Sequence, residues 1–400
     1  MFAARPVFYN FHILRDMATF ERLDATERAL AMPDPSRSGN IVPGSSPLES
    51  PIEALRTIVR PYVLAGPCYV LFSGGRDSSA VLAVAMSVAR EAGVSPPIPI
   101  TGVHPDVPES DEADWQDYVL RHLNITERHV IALRGEQSLL APATQQSLAR
   151  HGLLWPPATH VQGPYIEGLV PGSVLSGEGG DAVITDRRIT PMVKAIRGLK
   201  PRRALRALRK LRESSRTRAA ASEGFLRASP WLTSEGARAA RTFVARARPE
   251  ALRWSVGLRQ TAFCRPAAMA RVNFLQFFRE RGFQAEDPLD HPHFVASLAR
   301  AGGFIGLGSR TDMMRYLFLD YLPDSVLARE TKASFNGARW TGREVRFAQD
   351  WSGNGVDTRL IDPDRLRQAW LSDEPPVLSD LHLHAAWLAD HGLPLVPDDA

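Results

Sequence analysis

Apolar residues at Ile52, Leu55, Val59 and Val63 recur three or four apart, the spacing of one helix face. Tyr69 to Phe72 is a short apolar run that ends in Ser73-Gly74-Gly75, the punctuation of a buried strand entering a turn. Ser79 to Arg90 is apolar on nearly every side and predicts a helix covered by other elements. A second unit follows, with a strand over Ile98 to Val103 and a helix beginning near Ser110. The Ser110 hydroxyl is expected to cap that helix, and Asp111 and Glu112 suit its positive end. Trp115, Val119 and Leu123 would form its inward stripe. Val130 to Leu133 and Ser173 to Leu175 predict a third and a fourth strand. This alternation predicts an α/β fold with a mostly parallel, covered sheet, followed after Asp186 by a largely helical C-terminal region. Upstream, Val7 to Leu14 resembles a short strand and Ala18 to Met32 a helix. Pro33 to Pro51, rich in Pro, Ser and Gly, reads as a linker. No internal repeat is present.

Composition narrows the class. The chain has 400 residues, 44 % hydrophobic and 23 % charged, which suits a soluble globular protein and excludes disorder as the main state. No apolar stretch approaches the roughly 20 residues that span a bilayer. Arg5, Asn10, His12 and Arg15 interrupt the opening residues, so no secretory core is expected and the chain reads as cytoplasmic, with no membrane partner. Two distant cysteines, Cys68 and Cys264, suggest neither disulfide nor zinc site, and both are expected to be free, buried thiols. The net charge is +4, but Asp186 to Arg218 holds thirteen Lys or Arg and two acids, a local +11 that leaves −7 for the remainder.

Chemistry concentrates after two of the strands. Ser73-Gly74-Gly75-Arg76-Asp77-Ser78-Ser79 lies between a strand and a helix, where free backbone N–H groups and the helix dipole form an anion site. Asp77 would repel a phosphate unless Mg²⁺ bridged them, since that ion takes one or two carboxylates plus phosphate oxygens. The Gly-Lys-Ser/Thr ending of a Walker A loop is absent, which argues against a P-loop NTPase. Taken alone, the seven residues also fit a plain Gly-Ser turn. Ser176-Gly177-Glu178-Gly179-Gly180-Asp181 follows another strand, and by itself fits a turn more readily than a site. Strand C-terminal ends share one edge of such a sheet, so the two loops can face each other, with Asp77 and Asp181 holding one magnesium ion.

The two clusters together resemble the synthetase domain of the asparagine synthetases, a branch of the PP-loop ATP pyrophosphatases. Ser110-Asp111-Glu112, Pro288-Leu289-Asp290-His291, and Leu322-Pro323 followed by Val326, Leu327, Arg329, Lys332 and Phe335 extend the resemblance over roughly residues 52 to 340. It implies three parts: an N-terminal segment and linker over 1–50, an ATP-binding synthetase domain over 51–340 and a helical extension over 341–400. It also implies ATP and Mg²⁺ as cofactors, with Asp77 and Asp181 as metal ligands. Ser73, Gly74, Gly75, Ser78 and Ser79 would hold pyrophosphate, with Ser176 in the facing loop and Leu71, Val103 and Gly177 against adenine.

The departures refine the expectation. Asparagine synthetases carry a glutaminase domain whose nucleophile is the cysteine after the initiator Met. Here Phe2 stands there and about fifty residues precede the synthetase region, so the nitrogen nucleophile is expected to be free ammonia or, in preference, an amine carried by the substrate or a partner. That arrangement resembles β-lactam-forming relatives and the cyclases that close the macrolactam ring of lasso peptides. Glu178 favours the second group, because β-lactam formers carry Tyr there. Its carboxylate is a candidate proton acceptor from the attacking amine, the alternative being a charge that orders the loop. Lys332 is one of four lysines against forty-four arginines, and a compact ammonium suits a point of developing charge. The 187–218 segment fits either a solvated helix face or a surface for an acidic partner. His104, Asp106, Trp155, His160 and Tyr165 fall in loops that can border a substrate or serve structure alone.

The expected function is an AMP-forming amide ligase. Its substrate is a peptide or small molecule bearing a carboxylate and an amine, and natural-product macrolactam synthesis of the lasso type is favoured. A leader-peptide-binding or protease partner is possible by that resemblance. RNA modification and a non-catalytic nucleotide-binding regulator are the rival classes, and the absence of interleaved aromatic residues in the basic segment speaks against nucleic acid.

Overall fold

The structure, a computed structural model, describes residues 19–39, 48–198, 202, 214–331, 333 and 335–397. Five parallel strands form one sheet: β1 (Cys68–Leu71), β2 (Ile98–Val103), β3 (His129–Ala132), β4 (Ser173–Leu175) and β5 (Gln284–Glu286). Their order is β3-β2-β1-β4-β5. The chain therefore builds outward from β1 in one direction and then returns to its other side at β4. This reversal leaves a crevice beyond the C-terminal ends of β1 and β4, where ligands bind in open α/β sheets. The neighbours are in register, with Tyr69 opposite Val174 and Val70 opposite Leu175.

Alternation along β1 divides the core. Cys68, Val70 and Phe72 face a layer that includes the helices Pro51–Leu64, Arg76–Ala92 and Pro292–Gly302. Tyr69 faces the opposite layer with Ile100, Val174, Phe274, Phe277 and Phe278, the three phenylalanines coming from the helix Arg265–Arg279. The helix Arg76–Ala92 is buried at every position from Ser78 to Met86, as its continuous apolar character predicts. A separate core of Trp231, Trp351, Trp370 and Leu383 joins the helices Ser234–Ala245, Gly342–Asp350, Pro363–Trp370 and Asp380–Asp390. This C-terminal region is tied to the 139–153 stretch, with Leu140 N donating to Glu344 Oε1 at 2.6 Å and Leu153 N to the Leu395 carbonyl at 2.8 Å.

Several expectations change. The fifth strand interrupts the helical reading, since its buried Glu286 has none of the apolar pattern of a strand and is balanced instead by Arg271 and by Tyr62 Oη at 3.0 Å. Ser110 does not cap a helix. Pro108 starts a short 3-10 turn over Pro108–Ser110, in which Ser110 Oγ donates to the Val107 carbonyl at 2.6 Å. The helix begins at Ala113, whose N–H donates to Asp111 Oδ1 at 2.9 Å.

Near the N-terminus the helix is confined to Ala25–Ala29, closed by an Asp24–Glu27 capping box. The described part of the expected linker is packed rather than loose. Buried Glu27 accepts from Asp34 N at 2.7 Å and from Arg265 Nε at 2.5 Å, and Ser38 pairs with Cys264. Val7 to Leu14 lies outside the described residues, as do residues 199–201 and 203–213 of the basic segment. Cys68 is buried and Cys264 only partly so; both are free. Among the described residues, no helix is long and apolar enough to cross a membrane.

His382 is buried edge-on to Trp231, and burial lowers its pKa to about 4. The unfolded chain takes up a proton near 6.5 that the folded site refuses, so this group's contribution is present above pH 6.5 and is lost as pH falls toward 4. Denaturant titrations of wild type and His382→Phe should diverge over that window. The variant should gain relative stability by at most about 1.4 kcal/mol per pH unit; parallel curves would show that His382 is not held neutral.

Candidate active site

The loop leaving β1 is shaped by its own serines. Gly74 has φ +84°, the left-handed region that a glycine adopts without strain, and a Cβ there would lie 2.9 Å from Gln116 Cγ. Ser78 Oγ donates to the Gly75 carbonyl at 3.2 Å and accepts from Ser73 N at 3.3 Å, while Gly75 N donates to Ser73 Oγ at 3.3 Å. Gly75 is the N-cap of the helix Arg76–Ala92, and among the described residues no side-chain cap closes that end. The first N–H groups of a 17-residue helix therefore point toward the crevice with the positive end of its dipole. The Ser79 hydroxyl is buried with no hydrogen-bond partner among the described residues.

The loop leaving β4 is pressed against this one. A Cβ on Gly177 would stand 2.6 Å from the backbone nitrogen of Ser78, and one on Gly180 would stand 2.7 Å from Asp77 Cγ. Glycine at these positions is what allows two backbones to meet. Ser176 is held behind them, its Oγ bonded to Asp287 and accepting from Glu178 N at 3.0 Å.

Asp77 and Asp181 consequently face one point. Arg310 Nη2 lies 2.9 and 2.7 Å from the two carboxylate oxygens of Asp77 and 2.9 Å from Asp181 Oδ1. Burial pushes the Asp77 carboxyl above its ordinary range, Arg310 pulls it back, and the Asp181 charge pushes it up again. The pair fits a divalent cation: both carboxylates already converge on one positive centre, and two carboxylates plus phosphate oxygens and water are a donor set magnesium accepts. Among the described residues no third His, Cys, Asp or Glu joins the pair in a metal-binding cluster.

The asparagine synthase family matches residues 53–256, more than half of the chain and the whole stretch from the helix before β1 through both loops. The chain belongs to the asparagine synthase family. It is accordingly an ATP-dependent, AMP-forming carbon–nitrogen ligase. A search of curated proteins found no match.

In this asparagine synthase fold, Leu71 and Val103 are half-buried at the C-terminal ends of adjacent strands. Tyr165 covers β2 at Gly102, where a Cβ would meet its ring at 2.9 Å, and His104 stands edge-on to Phe335 at 5.6 Å. His160 is not a border residue: it is wholly buried and shares a 2.8 Å hydrogen bond with Ser147 Oγ. Asp106 pairs with Arg134 on the surface, and the Trp155 carbonyl accepts from Asn273. Glu178 is exposed at the mouth of the second loop, where its charge helps to hold the buried carboxyls of Asp287 and Asp290 above their ordinary range, after burial as the chief cause.

Lys332 lies outside the described residues, but its neighbours are anchored. Arg329 pairs with Glu112, donates to the Gly74 carbonyl at 3.2 Å and to Thr331 Oγ1 at 2.9 Å, and lies over the Trp115 ring at 4.5 Å. Ala333 N donates to Glu112 Oε1 at 2.9 Å. Sequence reasoning placed Glu112 and Arg329 in motifs without pairing them, and it missed Arg310 altogether. The one local signal for Arg310 is the Ser309–Asp312 capping box, which puts it at the first helical position.

Gly177→Ala should force the loops apart at the Ser78 nitrogen. The expected result is a loss of about 1–3 kcal/mol in denaturant titrations together with weakened ATP binding. Unchanged binding would show that the contact between the loops is not what shapes the nucleotide site.

Proposed function

We propose that the crevice adenylates a substrate carboxylate and that the product is a peptide macrolactam of the lasso type. The observation that carries the chemistry is the convergence of Asp77 and Asp181 on one cationic nitrogen beside an uncapped helix N-terminus. A carboxylate oxygen attacks the α-phosphorus of ATP and the bond to the β-phosphate bridge breaks, releasing pyrophosphate. An amine nitrogen then attacks the acyl carbon, and the bond to AMP breaks. Ser73, Gly74, Gly75, Ser78 and Ser79 offer hydroxyl and backbone donors to the departing pyrophosphate. Leu71, Val103, Ser176 and Gly177 flank the nucleoside.

Asp77 and Asp181 would hold Mg²⁺, which when bound neutralises charge on the phosphates. Glu178 takes the proton from the amine as the amide forms. Lys332 neutralises the charge that develops at the phosphate and acyl oxygens. Exposed at the mouth of the crevice, Glu178 suits a nucleophile arriving from solvent, as a peptide N-terminal amine does. The arginine-rich 187–218 sequence suits an acidic peptide, or a partner that delivers it.

Asp77→Asn and Asp181→Asn should each abolish carboxylate-dependent exchange of labelled pyrophosphate into ATP without lowering the melting temperature below that of a folded enzyme. ADP as the product, or exchange driven only by tRNA, would overturn the reading. Mass spectrometry of candidate peptides incubated with enzyme and MgATP should show the loss of one water; products from small molecules alone would turn the assignment to a small-molecule amide synthetase.

The two steps separate at Glu178. Glu178→Gln should keep pyrophosphate exchange while amide formation falls on the order of 10²- to 10⁴-fold. Lys332→Arg should bind ATP nearly as well as wild type and lose most of its turnover. Equal loss of exchange and amide formation in Glu178→Gln would assign Glu178 to loop order instead.

A further inference from the structure

Arg310 occupies the point between the two aspartates, and its anchoring is distributed along the residue. Its N–H donates to Asp186 Oδ1 at 2.8 Å and Nη1 donates to the Ile184 carbonyl at 2.8 Å, while Nη2 meets both oxygens of Asp77 and Oδ1 of Asp181. Ser309 and Asp312 fix the helix end that carries it. Its Nε is buried without a partner among the described residues. Arg76 stands close enough to feel both Arg310 and Asp77, so a second positive charge borders the same point.

Two carboxylates brought this close repel each other, and an opposite charge must stand between them for the loops to close. A guanidinium and a divalent ion use the same oxygen lone pairs. Magnesium needs those oxygens at about 2.0–2.1 Å, which leaves no room for Nη2 at hydrogen-bond distance from both aspartates. The backbone anchor at Asp186 does not depend on the side chain, so the guanidinium can leave the pair while Arg310 stays in place.

We propose that Arg310 is a positioning residue that holds Asp77 and Asp181 converged ahead of the metal and is exchanged for Mg²⁺ when the nucleotide binds. The proposal rests on reading the aspartate pair as the metal site. It makes Arg310 both an organiser of the site and a competitor for it. A merely structural ion pair would stabilise the fold without changing how much Mg²⁺ the nucleotide requires.

The test measures the free Mg²⁺ that half-saturates binding of α,β-methylene-ATP to the full chain by calorimetry. Arg310→Gln should lower that concentration about tenfold, a change equivalent to one log unit of affinity. It should also lower the melting temperature in EDTA, and Mg²⁺ with the analogue should restore the melting temperature. Arg310→Lys, which keeps a competing charge, should fall between wild type and Arg310→Gln and covers the case in which the glutamine variant does not fold. An unchanged or higher Mg²⁺ requirement in both variants would overturn the exchange. Asp77→Asn separates the two levels: if it keeps the wild-type Mg²⁺ requirement, the metal reading itself fails. If it loses Mg²⁺ dependence while the Arg310 variants show no shift, only the exchange fails.

Discussion

The contact on which the site depends is the meeting of two backbones beyond adjacent parallel strands. β1 and β4 are hydrogen-bonded neighbours at the point where the strand order reverses, so their following loops have no element between them. Gly177 and Gly180 let that proximity become contact with Ser78 and Asp77. Each loop carries one aspartate, and closing the loops creates a repulsion that the Arg310 guanidinium between them relieves. The sheet topology sets the distance, the glycines make it attainable, and electrostatics then demands a cation.

Behind this contact the molecule accepts further buried charge. Arg271 is enclosed with Glu286, Asp290 and the Asp287 carbonyl, and Ser176 bonds to Asp287, so the second loop rests on a polar platform rather than an apolar one. Arg329 and Glu112 play the corresponding part for the first loop, one arginine bonding Gly74 and Thr331 while the glutamate receives Ala333. Buried pairs of this kind add little net stability, because desolvation offsets their attraction, yet losing one partner costs about 3–5 kcal/mol. What they contribute is definition: the Gly74 carbonyl and the residues flanking Lys332 are referred to the same Arg329–Glu112 pair.

Most of this architecture was legible where hydrophobic periodicity was strong. β2 and β4 match their predicted bounds, and the helix Arg76–Ala92 was visible because a covered helix can be apolar all round. β5 was not, since a strand holding Gln284 and Glu286 announces itself only through partners far along the chain, Arg271 and Tyr62. Ser110 shows the reverse error: Pro108 and the pull of Arg329 on Glu112 outweighed a locally plausible cap. The family motifs pointed to the two loops that meet and to the two aspartates that converge on Arg310. Arg310 carries no comparable local mark in a chain with forty-four arginines, and it became identifiable only when three-dimensional proximity selected it.

The two aspartates are also unequal, and the inequality follows from which loop each belongs to. Asp77 is the second residue of a buried helix, beneath Gly180, with its side chain 16 % exposed; Asp181 is the second residue of the short helix Gly180–Val183, at 62 %. A cation approaching from solvent meets Asp181 first, where water still screens the charge, and reaches Asp77 last, where the same charge acts through a poorer dielectric. The deeper carboxylate is also the one to which Arg310 offers Nη2 along both oxygens. The guanidinium is thus concentrated on the aspartate whose carboxyl burial raises, and its charge offsets part of that rise.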